Sequence, residues 1–96
     1  MPADGTYIIG RAPAAGGGRR GHLRLNHRTV SQRHAELVVL AGTYYLIDLE
    51  SRNGIWRQRD TGRERLSEGY VDPDEPLWFG EHRTTLRSLL DTAVAA

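Results

Sequence analysis

Ser31-Gln32-Arg33-His34 runs directly into Ala35-Glu36-Leu37-Val38-Val39-Leu40; Ala41-Gly42-Thr43 leads on to Tyr44-Tyr45-Leu46-Ile47-Asp48-Leu49, and Ser51-Arg52-Asn53-Gly54 follows. The two apolar runs are joined by a short glycine-containing connection, which is the signature of a β-hairpin. In the second run Tyr45, Ile47 and Leu49 share one face by the two-residue period, and that face is expected to look into the core. Further out, Tyr7–Arg11, His22–Leu25, Ile55–Arg57 and Leu77–Phe79 read as short strands. They are punctuated by Asp60-Thr61-Gly62, Glu68-Gly69 and Asp72-Pro73. Many short strands with turn signals between them predict an all-β, antiparallel sandwich. Leu86, Leu89, Leu90 and Val94 have helical spacing while Arg83–Ser88 has the composition to finish a sheet, so a final strand with a frayed or helical tail is expected. Pro13, Gly16, Gly17, Gly18 and Gly21 make residues 12–22 a surface loop.

Three short polar motifs sit beside these strands. Gly10-Arg11 follows Tyr7-Ile8-Ile9, Ser31 to His34 precedes one hairpin strand, and Ser51 to Gly54 follows the other. A phosphomonoester carries nearly two negative charges at neutral pH and three strong acceptor oxygens. Its site needs a permanent cation and several donors of fixed direction. Arg11 supplies the cation, Ser31 a short hydroxyl and Gln32 an amide donor. Asn53 offers both a donor and an acceptor, which suits gripping a peptide backbone. Gly54 suits a position that needs positive φ or close backbone approach.

The ordered set of motifs resembles that of the forkhead-associated (FHA) domains, and the likeness covers residues 7 to about 90. It implies an FHA-type β-sandwich forming one domain over residues 1–96, with a core over about 6–90 and a tail at 91–96. It also implies that the module reads phosphothreonine in partner proteins and is not an enzyme. By this resemblance Arg11, Ser31 and Gln32 face the phosphate, while Arg52 and Asn53 contact the peptide. Gly10, His34 and Gly54 support the site, His34 by holding the serine-bearing loop. The residue at Gln32 is often basic in the family, and the residue at Ile55 is commonly threonine; both differ here. Only nine residues precede Gly10, whereas the family usually carries another strand before this one. Either that strand is absent and leaves an edge exposed, or a second chain supplies it, so a homodimer by strand exchange is among the expectations. The implied partners are threonine-phosphorylated proteins: a Ser/Thr protein kinase, its substrates, or a secretion or cell-envelope regulator. The rival within the family is a phosphate-independent scaffold or dimerisation domain.

Composition narrows the alternatives. The 96 residues fit one domain burying roughly 60–70% of its unfolded surface. There is no cysteine, so neither disulfides nor thiolate metal sites arise. His22, His27, His34 and His82 lack metal-ligand spacing, and no metal or other cofactor is expected. No run approaches the roughly 18 apolar residues of a membrane helix, so no membrane association is expected and a cytoplasmic location is. A net charge of only +1 argues against nucleic acid as the partner. All 13 basic residues are arginine, which a coding bias explains. Arg19, Arg20, Arg24 and Arg28 form a basic stretch near the proposed pocket. Ser31, His34 and Asp48 are the ingredients of a hydrolase triad, but the strand–elbow–helix context of such sites is missing. Trp56, Trp78 and Phe79 are expected to anchor the core.

Overall fold

The hairpin forms where the sequence places it. In the computed structural model, which describes residues 4–11 and 21–95 with side chains as far as Asp91, Ala35–Leu40 and Thr43–Asp48 pair antiparallel with Leu37 opposite Leu46. In chain order the strands are β1 Gly5–Gly10, β2 His22–Arg24, β3 Ala35–Leu40, β4 Thr43–Asp48, β5 Ile55–Arg59, β6 Gly62–Arg65, β7 Glu68–Tyr70, β8 Leu77–Phe79 and β9 His82–Thr84. A helix, α1, follows over Leu86–Ala95. One sheet has the order β2-β1-β3-β4-β7 and the other β6-β5-β8-β9. Every pairing is antiparallel except that of β1 with β2, which is parallel. The connection between those two passes through residues 12–20, so the expected loop there lies outside the described residues.

The sheets close on one apolar core, with Ile9, Leu37 and Leu46 from the first and Ile55, Leu77 and Phe79 from the second, all fully buried. The expected inward face of the second hairpin strand is therefore wrong. Leu46 points in and Tyr44 packs against the core, whereas Tyr45 lies against Tyr70 and donates its hydroxyl to Glu68. Directly opposed residues of an antiparallel pair share a face. Ala35, Leu37 and Val39 face inward on β3, so Asp48, Leu46 and Tyr44 must do so on β4.

Glu68-Gly69, expected as a break, opens β7 and pairs with Ile47 and Leu46. Of the three expected anchors only Phe79 is in the core. Trp56 and Trp78 oppose each other one position out of phase with the Ile55–Phe79 pair, so both lie on the outer face of the second sheet. The chain end resolves into β9 and a helix that is no mere tail. Thr85 caps it, its Oγ1 accepting from the Ser88 N–H at 3.1 Å, and Leu86, Leu89 and Leu90 are buried in the core. Arg83 and Thr84 are the only residues of the expected Arg83–Ser88 strand that pair. Among the described residues no strand precedes β1. It is flanked on both sides, and the outer strands are β2, β7, β6 and β9.

Candidate functional site

The three motifs converge at one end of the sandwich, where β1 finishes, β3 begins and the β4–β5 loop crosses from one sheet to the other. Arg11 leaves the end of β1 and donates its backbone N–H to the Ser31 carbonyl at 2.9 Å. Its own carbonyl accepts from Arg24 Nε at 3.1 Å, which places one residue of the basic stretch at the site's edge. Arg19 and Arg20 lie outside the described residues. Gly10 sits so close to the following loop that a Cβ would fall 2.1 Å from the Gln32 carbonyl oxygen. Only glycine fits there, and this contact brings the Ser31–Gln32 turn against Arg11.

His34 is fully buried, edge-on to Phe79 with ring centroids 5.7 Å apart. Its Nδ1 accepts from the Ser31 N–H at 3.1 Å, and Nε2 lies 2.8 Å from the Gly54 carbonyl. A backbone N–H only donates and a carbonyl only accepts, so the ring is the neutral Nε2–H tautomer. Burial holds its pKa below the ordinary value, outweighing the Gly54 carbonyl and Asp48, which favour the cation. The Gly54 carbonyl also accepts from Gly80 N–H at 2.9 Å. One oxygen thus joins the serine loop, the asparagine loop and the β8–β9 turn. His34 meets Ser31 through the backbone N–H, and the Ser31 Oγ has a different partner, so the Ser31–His34 bond of a hydrolase triad is not formed.

That partner is the Arg52 N–H, which donates to Ser31 Oγ at 3.1 Å. With an acceptor lone pair used in this way, the serine O–H remains available to donate outward. Asn53 is exposed and donates from Nδ2 to the Thr29 carbonyl at 2.8 Å. The carbonyl partner fixes the orientation of the amide and leaves Oδ1 and the second N–H directed elsewhere. Gly54 has φ +80°, a conformation suited to glycine. Its N–H donates to Ser51 Oγ at 3.0 Å, and the Asn53 carbonyl accepts from Trp56 Nε1 at 2.9 Å. Thus Gly10, Arg11, Ser31, Gln32, His34, Arg52, Asn53 and Gly54 lie on adjoining loops. Gln32 and Arg52 have exposed side chains. The electrostatic signature is at Arg11, whose Nε is buried and has no hydrogen-bond partner among the described residues.

Two supporting residues escaped the sequence reading. Ser51 is buried and closes the turn that presents Asn53. Thr29 positions Asn53 through its carbonyl, while its Oγ1 bonds to the Glu81 N–H at 2.9 Å and to His27 Nδ1 at 2.8 Å. Ser51 acts locally, its Oγ accepting from the Gly54 N–H three residues on, whereas Thr29 holds Asn53 through its backbone carbonyl and so leaves no signal in the sequence. A shallow groove of about 470 Å³ lies at the opposite end of the sandwich, lined by Tyr44, Arg57, Tyr70 and Glu75 among others, and includes none of the motif residues. No group of His, Cys, Asp and Glu with metal-binding geometry occurs among the described residues. No described helix is long and apolar enough to cross a membrane.

Comparison with known proteins agrees with this architecture. The FHA domain of the CT664 protein from Chlamydia trachomatis superposes with a TM-score of 0.67 at 20% identity, covering 86% of this chain and 75% of that one. An FHA domain from a structural and functional study of phosphothreonine-dependent interactions gives 0.67 at 24%, covering 88% and 77%. Mycobacterium tuberculosis EmbR, in complex with a low-affinity phosphopeptide, gives 0.62 at 26%, covering 83% of this chain and 19% of that one. A search of curated proteins finds no match. The FHA domain family matches residues 7–71, more than half of the sequence, and the chain belongs to that family.

Proposed function

We propose that the loop end of this sandwich binds a phosphothreonine-containing segment of a partner protein. The observation that carries the reading is the buried Arg11 Nε, which has no hydrogen-bond partner among the described residues, on a strand end bonded to a serine whose Oγ accepts from Arg52 N–H and keeps its own proton to donate. A buried donor without an acceptor costs about 1–3 kcal/mol, and a phosphate oxygen recovers that cost on binding. Arg11 and Ser31 contact the phosphate with help from Gln32. Arg52 and Asn53 hold the peptide main chain, and Gly10, His34 and Gly54 keep the loops in place. Related structures support the reading: one comes from a study of phosphothreonine-dependent FHA domain interactions, and another is a complex with a phosphopeptide.

FHA domains are interaction modules, and the function proposed here is likewise recognition without catalysis. The partner is a Ser/Thr protein kinase, one of its substrates, or a phosphorylated secretion or envelope regulator, met in the cytoplasm. The whole chain acts as a single module. Strand exchange between two copies has an outer strand, β9 or β6, as its acceptor, and sedimentation at rising concentration reads the mass.

The test is calorimetric titration with three peptides that differ only in phosphothreonine, phosphoserine or unmodified threonine. Affinity falls in that order, with no measurable binding of the unmodified peptide. One buried methyl separates the first two by about 0.8 kcal/mol, roughly fourfold. Arg11→Ala weakens phosphothreonine binding by about 30- to 150-fold, the equivalent of about 2–3 kcal/mol for a charge-assisted contact, with the melting temperature retained. Equal affinity for the unmodified peptide replaces this reading with the phosphate-independent scaffold.

A further inference from the structure

The outer face of the second sheet carries a feature that the phosphate site does not use. Ile55 and Phe79 point into the core, so their neighbours Trp56 and Trp78 point out. The register places Arg65 beside Trp56, and Arg83 beside Trp78. Arg63 is on the same face, its guanidinium 4.3 Å from the Trp78 ring centroid; those of Arg83 and Arg65 lie 5.7 Å from Trp78 and Trp56. Gln58 lies opposite Arg63 on the same face. Among the described residues the paired strand positions of this face hold three arginines, two tryptophans, a glutamine and no carboxylate. Arg65 reaches Asp48 at 3.7 Å at one margin; Arg63 and Arg83 are exposed and have no ion pair among the described residues. In a chain of net charge +1 this is a local concentration of positive charge.

Stacking shows how the charge is presented. A guanidinium lying on an indole spends one face on the ring and keeps its edge N–H groups free, in the fork geometry that matches a carboxylate. Arg63 and Arg83 both contact Trp78, and two like charges on one ring repel each other in the free protein. An anionic occupant relieves that repulsion. Bases are a poor match, because Trp78 is only 9% exposed beneath its two arginines and offers no open ring for stacking.

The face is also continuous with the loop that holds Asn53. Trp56 Nε1 bonds to the Asn53 carbonyl, and Arg65 Nε lies 3.0 Å from where a Gly54 Cβ would be. The arginines span three strand spacings, about 14 Å, which an extended peptide covers in four to five residues.

We propose that this tryptophan–arginine face is a second docking surface, which takes an acidic run of aspartate and glutamate flanking the phosphothreonine in the same partner. It rests on the phosphothreonine reading of the loop end. Arg63, Arg65 and Arg83 pair with the carboxylates, and the indoles hold the guanidinium planes in place.

The test titrates wild type and the Arg63→Gln/Arg83→Gln variant with a phosphothreonine core peptide. The same core is then extended by six acidic residues or by six glutamine and serine residues, on either side, at 50 and 300 mM salt. The acidic extension on one side tightens binding by about tenfold at low salt and by about twofold at high salt, the size expected of a few exposed pairs. The neutral extension adds nothing. The double variant loses the gain while binding the core peptide like wild type. Arg63→Lys/Arg83→Lys, which keeps the charge and removes the fork, retains part of the gain. Arg83→Gln alone serves if the double variant fails to fold. A core peptide that binds with no gain from either acidic extension overturns the docking surface and leaves the phosphate site standing; a core peptide that fails to bind removes the reading beneath it. A gain kept in full by the folded glutamine variant places the acidic run elsewhere. Loss of the gain to a uridine octamer that competes for these arginines makes the occupant a nucleic acid and overturns the peptide.

Discussion

His34→Ala tests the link between stability and site. The imidazole gives Ser31 N–H its acceptor, donates to Gly54 and fills space beside Phe79. The two hydrogen bonds are not equivalent. The Gly54 carbonyl keeps the Gly80 N–H after truncation, so losing the histidine there costs about 0.5 kcal/mol, whereas a partly buried N–H left without an acceptor costs about 1.5 kcal/mol. The space vacated by the ring adds about 1–2 kcal/mol. The sum, about 3–4 kcal/mol, lowers the melting temperature of a domain this size by about 15 °C and leaves it folded at 25 °C. Binding weakens as well, since Ser31 loses its anchor. Acidity supplies a second readout. Burial depresses the folded-state pKa of His34 below the unfolded value of about 6.5, so the folded state favours the neutral ring. The stabilisation is complete above the unfolded pKa and declines as pH falls below it. The gap between wild type and variant, followed by scanning calorimetry, is therefore wider at pH 7.5 than at pH 5.5. His34→Asn returns an acceptor toward Ser31 N–H and recovers about 1 kcal/mol. A variant melting within about 3 °C of wild type, or a gap that widens in acid, refutes this account.

Gly10→Ala drives a methyl to 2.1 Å from the Gln32 carbonyl; β1 is held on both sides, so the turn moves, at about 3 kcal/mol, and phosphopeptide affinity drops at least tenfold by calorimetry. Glu75 accepts from Arg57 at 2.9 and 3.3 Å, and the two side chains are 23% and 14% exposed. It also accepts from the Asp72 N–H at 3.1 Å. The Arg59–Glu64 pair is 47% and 57% exposed. Urea titration accordingly shows Glu75→Ala losing about 1.5 kcal/mol and Glu64→Ala losing under about 0.5 kcal/mol. Phosphopeptide affinity falls below about pH 6, where the dianion becomes a monoanion. Isothermal titration from pH 7.5 to 5 gives the profile, and a flat one contradicts dianion recognition.

What the sequence made legible divides along physical lines. The motif residues could be read because loops expose polar groups whose chemistry is visible without geometry: an arginine, a serine and an asparagine beside strand ends. The hairpin was legible from two apolar runs and a glycine. Its phase was not, because Tyr44-Tyr45-Leu46-Ile47 is apolar at both parities. The deciding signal was on the partner strand, where Glu36 marks the outward parity and pairs with Ile47. The strands β6, β7 and β9 contain Arg63, Glu64, Arg65, Glu68 and Arg83 with few apolar residues. They extend by pairing with β5, β4 and β8, and such pairing leaves no periodic trace. Trp78 is the instructive case. Bulk and hydrophobicity suggest a core anchor, yet arginine side chains bury it on the outside of the sheet, since their stems and flat heads cover aromatic surface.

The site also shows why a neutral histidine suits this scaffold. The serine loop belongs to the first sheet and the Gly80 turn to the second, and they meet at the Gly54 carbonyl through His34 and a backbone N–H. A cationic ring has no lone pair to accept from Ser31 N–H, so protonation breaks the join that positions Ser31. Positive charge for the ligand must then come from another residue, and an arginine at the end of β1 provides it. Acid therefore acts twice, on the phosphate near pH 6 and on the stability of the scaffold, because burial holds the folded-state pKa of His34 below its ordinary value. Temperature separates the two effects. Far below the melting transition the folded population stays near unity, and the decline in affinity follows the ligand's own ionisation. Close to the transition the unfolding of the scaffold is added, and the apparent pH midpoint of binding moves upward.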